Sequence, residues 1–211
     1  MSMNTSSHNQ AGFSLVELII SMVITLVILG AGVAAFSGAL SSRSYQSART
    51  DALVSAQAAL NVMSREIGNS GYGLLNNGIV LADSDTSQIH IRSNFNNAND
   101  TTADQGEDIT FFCNSCDVNG GSVVRYDAYN GGSTSGIINS VSQVNFSYWD
   151  YDPATHAVTG PLATPSLNTA RVTITLTVII NVEGQPTGDA ANVRMSSDVV
   201  LRNSPYVLNR Y

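Results

Sequence analysis

The chain has 211 residues and a formal net charge of −7, and only 12 % of its residues are charged, about half the usual share. All nine basic residues are arginine, which excludes a Walker-A phosphate loop, Schiff-base chemistry and the lysine-dependent serine nucleophiles. The acidic balance also argues against nucleic-acid contact, which needs a basic stripe.

The first element is an apolar run. Between Glu17 and Arg43 lie 25 residues without a charge. As a helix this run spans roughly 38 Å, more than the ~30 Å hydrocarbon core of a bilayer. Residues 18–36 hold eleven Leu, Ile, Val or Phe, which favour insertion by roughly 3–7 kcal/mol. A carboxylate at the bilayer centre costs about 2.5–3.5 kcal/mol and less at the edge, so the run inserts despite Glu17. Gly30, Ala34 and Gly38 are spaced by four and form a small-residue stripe where a second helix can approach closely. Three readings compete for this end. A cleaved signal peptide would be cut near residues 37–39, but residues 1–12 contain no Arg or Lys to form a basic n-region. A plain signal anchor is the second. The third rests on the residues Gly12-Phe13-Ser14-Leu15-Val16-Glu17-Leu18.

That heptad resembles the cleavage and methylation motif of type IV prepilins and type II secretion pseudopilins. The resemblance implies a leader of residues 1–12, removed by prepilin peptidase between Gly12 and Phe13, and N-methylation of the new amino terminus at Phe13. It implies that Glu17 pairs with the amino terminus of a neighbouring subunit during assembly, in accord with the cost of leaving a carboxylate unpaired at the edge of an apolar helix. The partners so implied are other pilin or pseudopilin subunits, the peptidase and inner-membrane lipid, with the C-terminal part outside the cytoplasm. The leader lacks the basic residue common in prepilin leaders. Arg43 and Arg49, just past the apolar run, oppose the implied orientation by the positive-inside rule, although two arginines are a weak bias.

Next, Leu53, Ala56, Leu60, Met63 and Ile67 recur at helical spacing and predict one apolar face, ending at Gly68 with Gly71 and Gly73 close behind. A continuous helix over 13–67 would be about 80 Å long. The stripe has too few large residues for a two-stranded coiled coil and suits packing on a sheet.

From residue 68 onward the composition turns to Gly, Asn, Ser, Thr and Asp with short apolar stretches. Alternation predicts strands at 89–92, 108–113, 122–126, 144–149, 171–182 and 198–202, with 114–121 as a turn. In the clearest strand Val172, Ile174, Leu176, Val178, Ile180 and Val182 face one way and Thr173, Thr175 and Thr177 the other. Residues 94–106 and 152–168 read as mobile connections, 130–136 as a flexible loop and 183–189 as a turn. The expected class is α+β, a long N-terminal helix packed on an antiparallel sheet, which is also the pilin layout. The expected divisions are a leader at 1–12, an assembly helix at 13–42, an amphipathic extension at 43–70 and a sheet domain at 71–211. Met63-Ser64-Arg65-Glu66-Ile67, 144–150, 172–178 and 199–203 look like the W-type minor pilin or J-type pseudopilin branch.

Cys113 and Cys116 are the only cysteines. A zinc ribbon needs more ligands, and His8, His90 and His156 form no group with them. A disulfide pinning the turn is the leading reading if the domain is extracytoplasmic; two free thiols are the alternative. The acid groups Asp83/Asp85, Asp100/Asp104/Glu107/Asp108 and Asp150/Asp152 fit no EF-hand and read as solvated loop carboxylates. Tyr148 reads as core, with Trp149 and Tyr151 half-exposed. No catalytic motif, cofactor site or metal site is expected. The expected role is a minor structural subunit acting near a filament tip. The rivals are a secreted enzyme or binding module with a cleaved signal, and a membrane-anchored adhesin that does not polymerise.

Overall fold

The computed structural model describes residues 12, 14–96, 101–180 and 192–208. Two compact units divide the chain, Met1–Gln46 and Ser47–Tyr211. Helix α1 covers Leu15–Gly68. Seven strands follow: β1 (Gln88–Arg92), β2 (Asp108–Asn114), β3 (Gly121–Asp127), β4 (Ser133–Tyr151), β5 (Val158–Leu162), β6 (Thr169–Ile179) and β7 (Asn192–Val200). A short helix α2 spans Pro205–Leu208. The fold is α+β and pilin-like, with a long N-terminal helix and an antiparallel sheet.

Within the first unit α1 buries nothing. Every large apolar side chain from Leu15 to Leu40 is exposed. An 18-residue window reaches a mean hydropathy of 2.6, so this helix is long and apolar enough to cross a membrane. Such a helix near the N-terminus fits a membrane anchor.

In the second unit the later turns of α1 lie on one face of the sheet. Ala56, Ala59, Leu60, Met63 and Ile67 are buried there, with Ala52 packed at the margin. Leu53, expected on this face, is exposed. Ala56, Leu60, Met63 and Ile67 are buried as the spacing predicts, and the buried stripe takes in Ala59 and the partly buried Ala52 in place of Leu53. The helix ends at Gly68, as the glycine cluster predicts.

The sheet order is β1-β2-β3-β4-β6-β7, and β5 pairs with the end of β4. β4 is the central spine, 19 residues long. Its first half pairs with β3, its last residues with β5, and its opposite edge with β6. Between β3 and β5 the turn before β1 fills the gap. Phe146 N–H donates to Thr86 O at 2.9 Å, and the Tyr148 hydroxyl donates to Asp85 O at 2.8 Å. Tyr148 is core, as expected. Burial, and secondarily the Asp85 carboxylate, push its phenol well up from the ordinary tyrosine range.

β6 shows the clean period of two expected of a strand. Val172, Ile174, Leu176 and Val178 are buried toward α1, and Thr173, Thr175 and Thr177 stand on the other face. Val182 lies outside the described residues. On the far face hydroxyls bond to hydroxyls and carboxylates: Thr173 Oγ1 donates to Asp198 at 2.5 Å, and Thr175 and Ser196 are 3.3 Å apart. A hydroxyl ladder of this kind wets the face with few charges, which accounts for the low charged fraction of the domain.

Three strand expectations and one about the acid groups are corrected. Residues 133–136, read as loop, begin β4, because pairing with β3 from Asp127↔Ser133 onward supplies order that their small side chains do not signal. Residues 158–162, read as a mobile connection, form β5. The last strand is Asn192–Val200 rather than 198–202, and β6 dictates this through the register Ile179↔Asn192 to Arg171↔Val200. Acids Glu107 and Asp108 are buried rather than solvated. The predicted turn at 183–189 lies outside the described residues.

Gly78 shows why the connection from α1 to β1 is rich in glycine. It has φ +74°, and a Cβ there would collide with the backbone of Gly71 and Arg92. At that crossing Gly71 N–H donates to Arg92 O at 2.9 Å, and Arg92 N–H donates to Gly78 O at 2.7 Å.

Candidate functional site

The N-terminal motif leads directly into α1. Ser14 O accepts the N–H of Leu18 at 3.1 Å, closing the first turn. Glu17 sits in that turn and is exposed. A carboxylate is favoured there by the unpaired N–H groups of the helix start, by about 0.3–1 kcal/mol at an exposed site. Gly12 is exposed as well, while Phe13 and the residues of the expected leader before Gly12 lie outside the described residues. Gly30 and Gly38 have open space where a side chain would stand, and Ala34 between them is exposed. Side chains Ser21 and Thr25 donate to the carbonyls of Leu18 and Ser21 at 2.9 and 2.7 Å, so their hydroxyls are satisfied within the apolar helix.

The polar groups of the sheet domain form two partly buried charge networks. His90 lies between two carboxylates, with Nδ1 3.2 Å from Asp83 and Nε2 2.6 Å from Asp108. Arg92, the register partner of Asp108, donates to the other carboxylate oxygen at 2.7 Å. The second network joins the helix to the sheet. Arg125 on β3 donates to Glu66 on α1 at 2.9 Å and to Asp127 at 3.2 Å. Asp127 also accepts the backbone N–H groups of Gly106 and Tyr129, and Glu107 accepts those of Asn96 and Asp104. Both carboxylates are satisfied by protein donors, as buried charges must be. In the third acid group Asp150 accepts the hydroxyls of Ser166 and Thr169. Exposed Asp152 is held below the usual carboxylate range, chiefly by the Thr155 hydroxyl.

Cys113 at the end of β2 and Cys116 in the following turn have Cα atoms 5.7 Å apart and sulfurs in bonding contact. Among the described residues no group of three or more His, Cys, Asp or Glu is arranged to hold a metal ion. The charge networks are invisible to linear motifs. Each joins residues brought together only by strand register, and the sole local signal is the His90–Arg92 spacing of two on one strand.

Over residues 7–33 the chain matches the family described as the prokaryotic N-terminal methylation motif. No characterised protein and no solved structure matches it. Joined to the exposed apolar helix and the α+β fold, the motif supports a type IV pilin-like protein. Proteins that carry this motif are structural, and it implies interaction with other pilin subunits.

Proposed function

We propose that the chain is a minor subunit of a type IV pilus or a type II secretion pseudopilus, working in filament assembly at or near the tip. One observation carries this reading: the motif Gly12 to Leu18 stands at the head of an uncharged run whose large side chains are all exposed. In this reading prepilin peptidase cuts between Gly12 and Phe13, Phe13 is methylated, and the helix waits in the inner membrane with the sheet domain outside the cytoplasm. Glu17 then meets the positive amino terminus of a neighbour, which offsets the cost of moving a carboxylate among apolar helices. Gly30, Ala34 and Gly38 form the face along which neighbouring helices approach. Outside the cytoplasm Cys113 and Cys116 are held as a disulfide that pins the turn after β2.

Mass spectrometry of the mature N-terminus tests the processing. The expected species begins with methylated Phe13, and any other start overturns the proposal. The variant Glu17→Ala is expected to be cut and inserted yet to be lost from sheared filaments. Normal incorporation would remove Glu17 from the assembly step.

A further inference from the structure

The face of the sheet turned away from α1 carries a groove of about 400 Å³. Trp149 on β4, Arg171 on β6 and Val200 on β7 lie in one cross-strand row, Trp149↔Arg171↔Val200, and form its floor. Tyr151, Val158 of β5 and Tyr206 of α2 form its walls. The parts are held in place. Trp149 Nε1 donates to Thr173 Oγ1 at 2.9 Å. The Tyr151 hydroxyl is 2.6 Å from His156 Nδ1, and the Tyr151 and Tyr206 rings meet edge-on with centroids 4.4 Å apart. Gly160 passes so close over Trp149 that a Cβ there would meet the indole ring at 2.8 Å.

Arg171 gives the groove its chemistry. Its guanidinium carbon lies over the Trp149 ring, 4.2 Å from the centroid. Among the described residues the ion pairs of the domain use His90, Arg92 and Arg125, and none reaches Arg171. Packing over an aromatic face occupies one side of a guanidinium and leaves its N–H edge as a fork that fits a carboxylate with two bonds. Asp150 lines the same groove, but its two oxygens are taken by the hydroxyls of Ser166 and Thr169. Its negative charge leaves the site near neutrality, which favours a monoanion over a dianion such as phosphate.

We infer that this groove is a binding site for a carboxylate carried next to an apolar or aromatic group, the carboxylate held by Arg171 and the apolar part seated between Tyr151, Tyr206, Val158 and Val200. A volume of this size suits a small ligand or the last residue of a peptide. Trp149 is the only tryptophan in the chain, so the intrinsic indole fluorescence of the whole protein reports this groove alone.

The test is a fluorescence titration of the full-length protein in detergent micelles, with N-acetylphenylalanine and with its amide. The acid is expected to give a saturable change and the amide one at least tenfold weaker. Arg171→Gln is expected to weaken the acid at least tenfold, and Arg171→Lys less. Equal responses to acid and amide, an Arg171→Gln titration like that of the unaltered protein, or tighter binding of inorganic phosphate would each overturn the inference. Should Arg171→Gln fail to fold, Tyr206→Ala, outside the sheet, is expected to weaken acid and amide alike several-fold, and no change would overturn the placement. Comparing N-acetylphenylalanine with acetyl-Gly-Gly-Phe separates the sources. Tighter binding of the tripeptide marks a chain terminus, and tighter binding of the single residue a free small acid.

Discussion

Leu26 and Leu60 stand on the same helix and meet opposite surroundings. Leu26 is 58 % exposed and Leu60 is 1 % exposed. In the first unit leucine, isoleucine and valine crowd every side of α1 and none finds a partner within the unit. In the second a narrow stripe from Ala56 to Ile67 is buried in the core of the sheet domain. Apolarity by itself therefore does not tell where a helix finds its stability. A helix apolar all round asks for lipid or other helices, while a helix with one apolar stripe meets its own sheet.

Truncating the two leucines is the sharpest way to break this contrast. Leu60→Ala should lower the unfolding free energy of the sheet domain by about 2–5 kcal/mol, since a core cavity opens. Leu26→Ala should leave it within about 0.5 kcal/mol of its original value. Urea titrations followed at Trp149 would show it, and equal shifts would erase the distinction. A smaller effect is expected where the helix is tied to the sheet by charge. Arg125→Met removes the donor to Glu66 and Asp127 and should cost about 1.5–3 kcal/mol, the worth of a hydrogen bond to a charged group. Asp127 keeps its backbone donors, which limits the loss, and a stability equal to that of the unaltered protein would show the link to be idle.

The smallest effect concerns Tyr148, whose hydroxyl closes the gap beside β4. Tyr148→Phe should cost about 0.5–1.5 kcal/mol in the same titration. Its pH dependence has a definite sign. The phenol is shifted up in the folded state by burial and then by Asp85. The neutral form therefore contributes stability that is fully present below the unfolded tyrosine value of about 10 and is lost as pH rises above it. The alkaline decline of stability should be shallower in Tyr148→Phe, and parallel curves would show that this phenol is not responsible.

The parts legible in the sequence are those whose signal is local. The alternation of Val172 to Val178 and the glycine stop of α1 follow from period and backbone chemistry alone. The N-terminal heptad is local too, and a matching motif covers it. Leu53 lies at the margin of the helical period, so spacing alone does not tell it from Ala52, and it is Ala52 that packs against the core. The start of β4 carries no strand signal because Ser133 to Gly136 hold no large side chain, and their order comes from β3. The burial of Asp108 has no local signal, because its partners His90 and Arg92 are 18 and 16 residues away. Trp149, Arg171 and Tyr206 come from three separate segments, so no linear pattern announces the groove between them.

The end of α1 is sewn to the residues that follow β7. Arg202 N–H donates to Gly68 O at 3.1 Å, the Arg202 guanidinium donates to Asn69 at 2.9 Å, and Asn203 donates to Ser70 O at 3.1 Å. Leu201, between β7 and these contacts, is completely buried. Partners 133 positions apart in sequence meet at this seam. A nascent chain that has made its helix and all seven strands still lacks these bonds, and contacts of such long range form late. The seam can therefore close only once Arg202 and Asn203 have been made, and it fastens the start of the sheet domain's chain to the segment after its last strand.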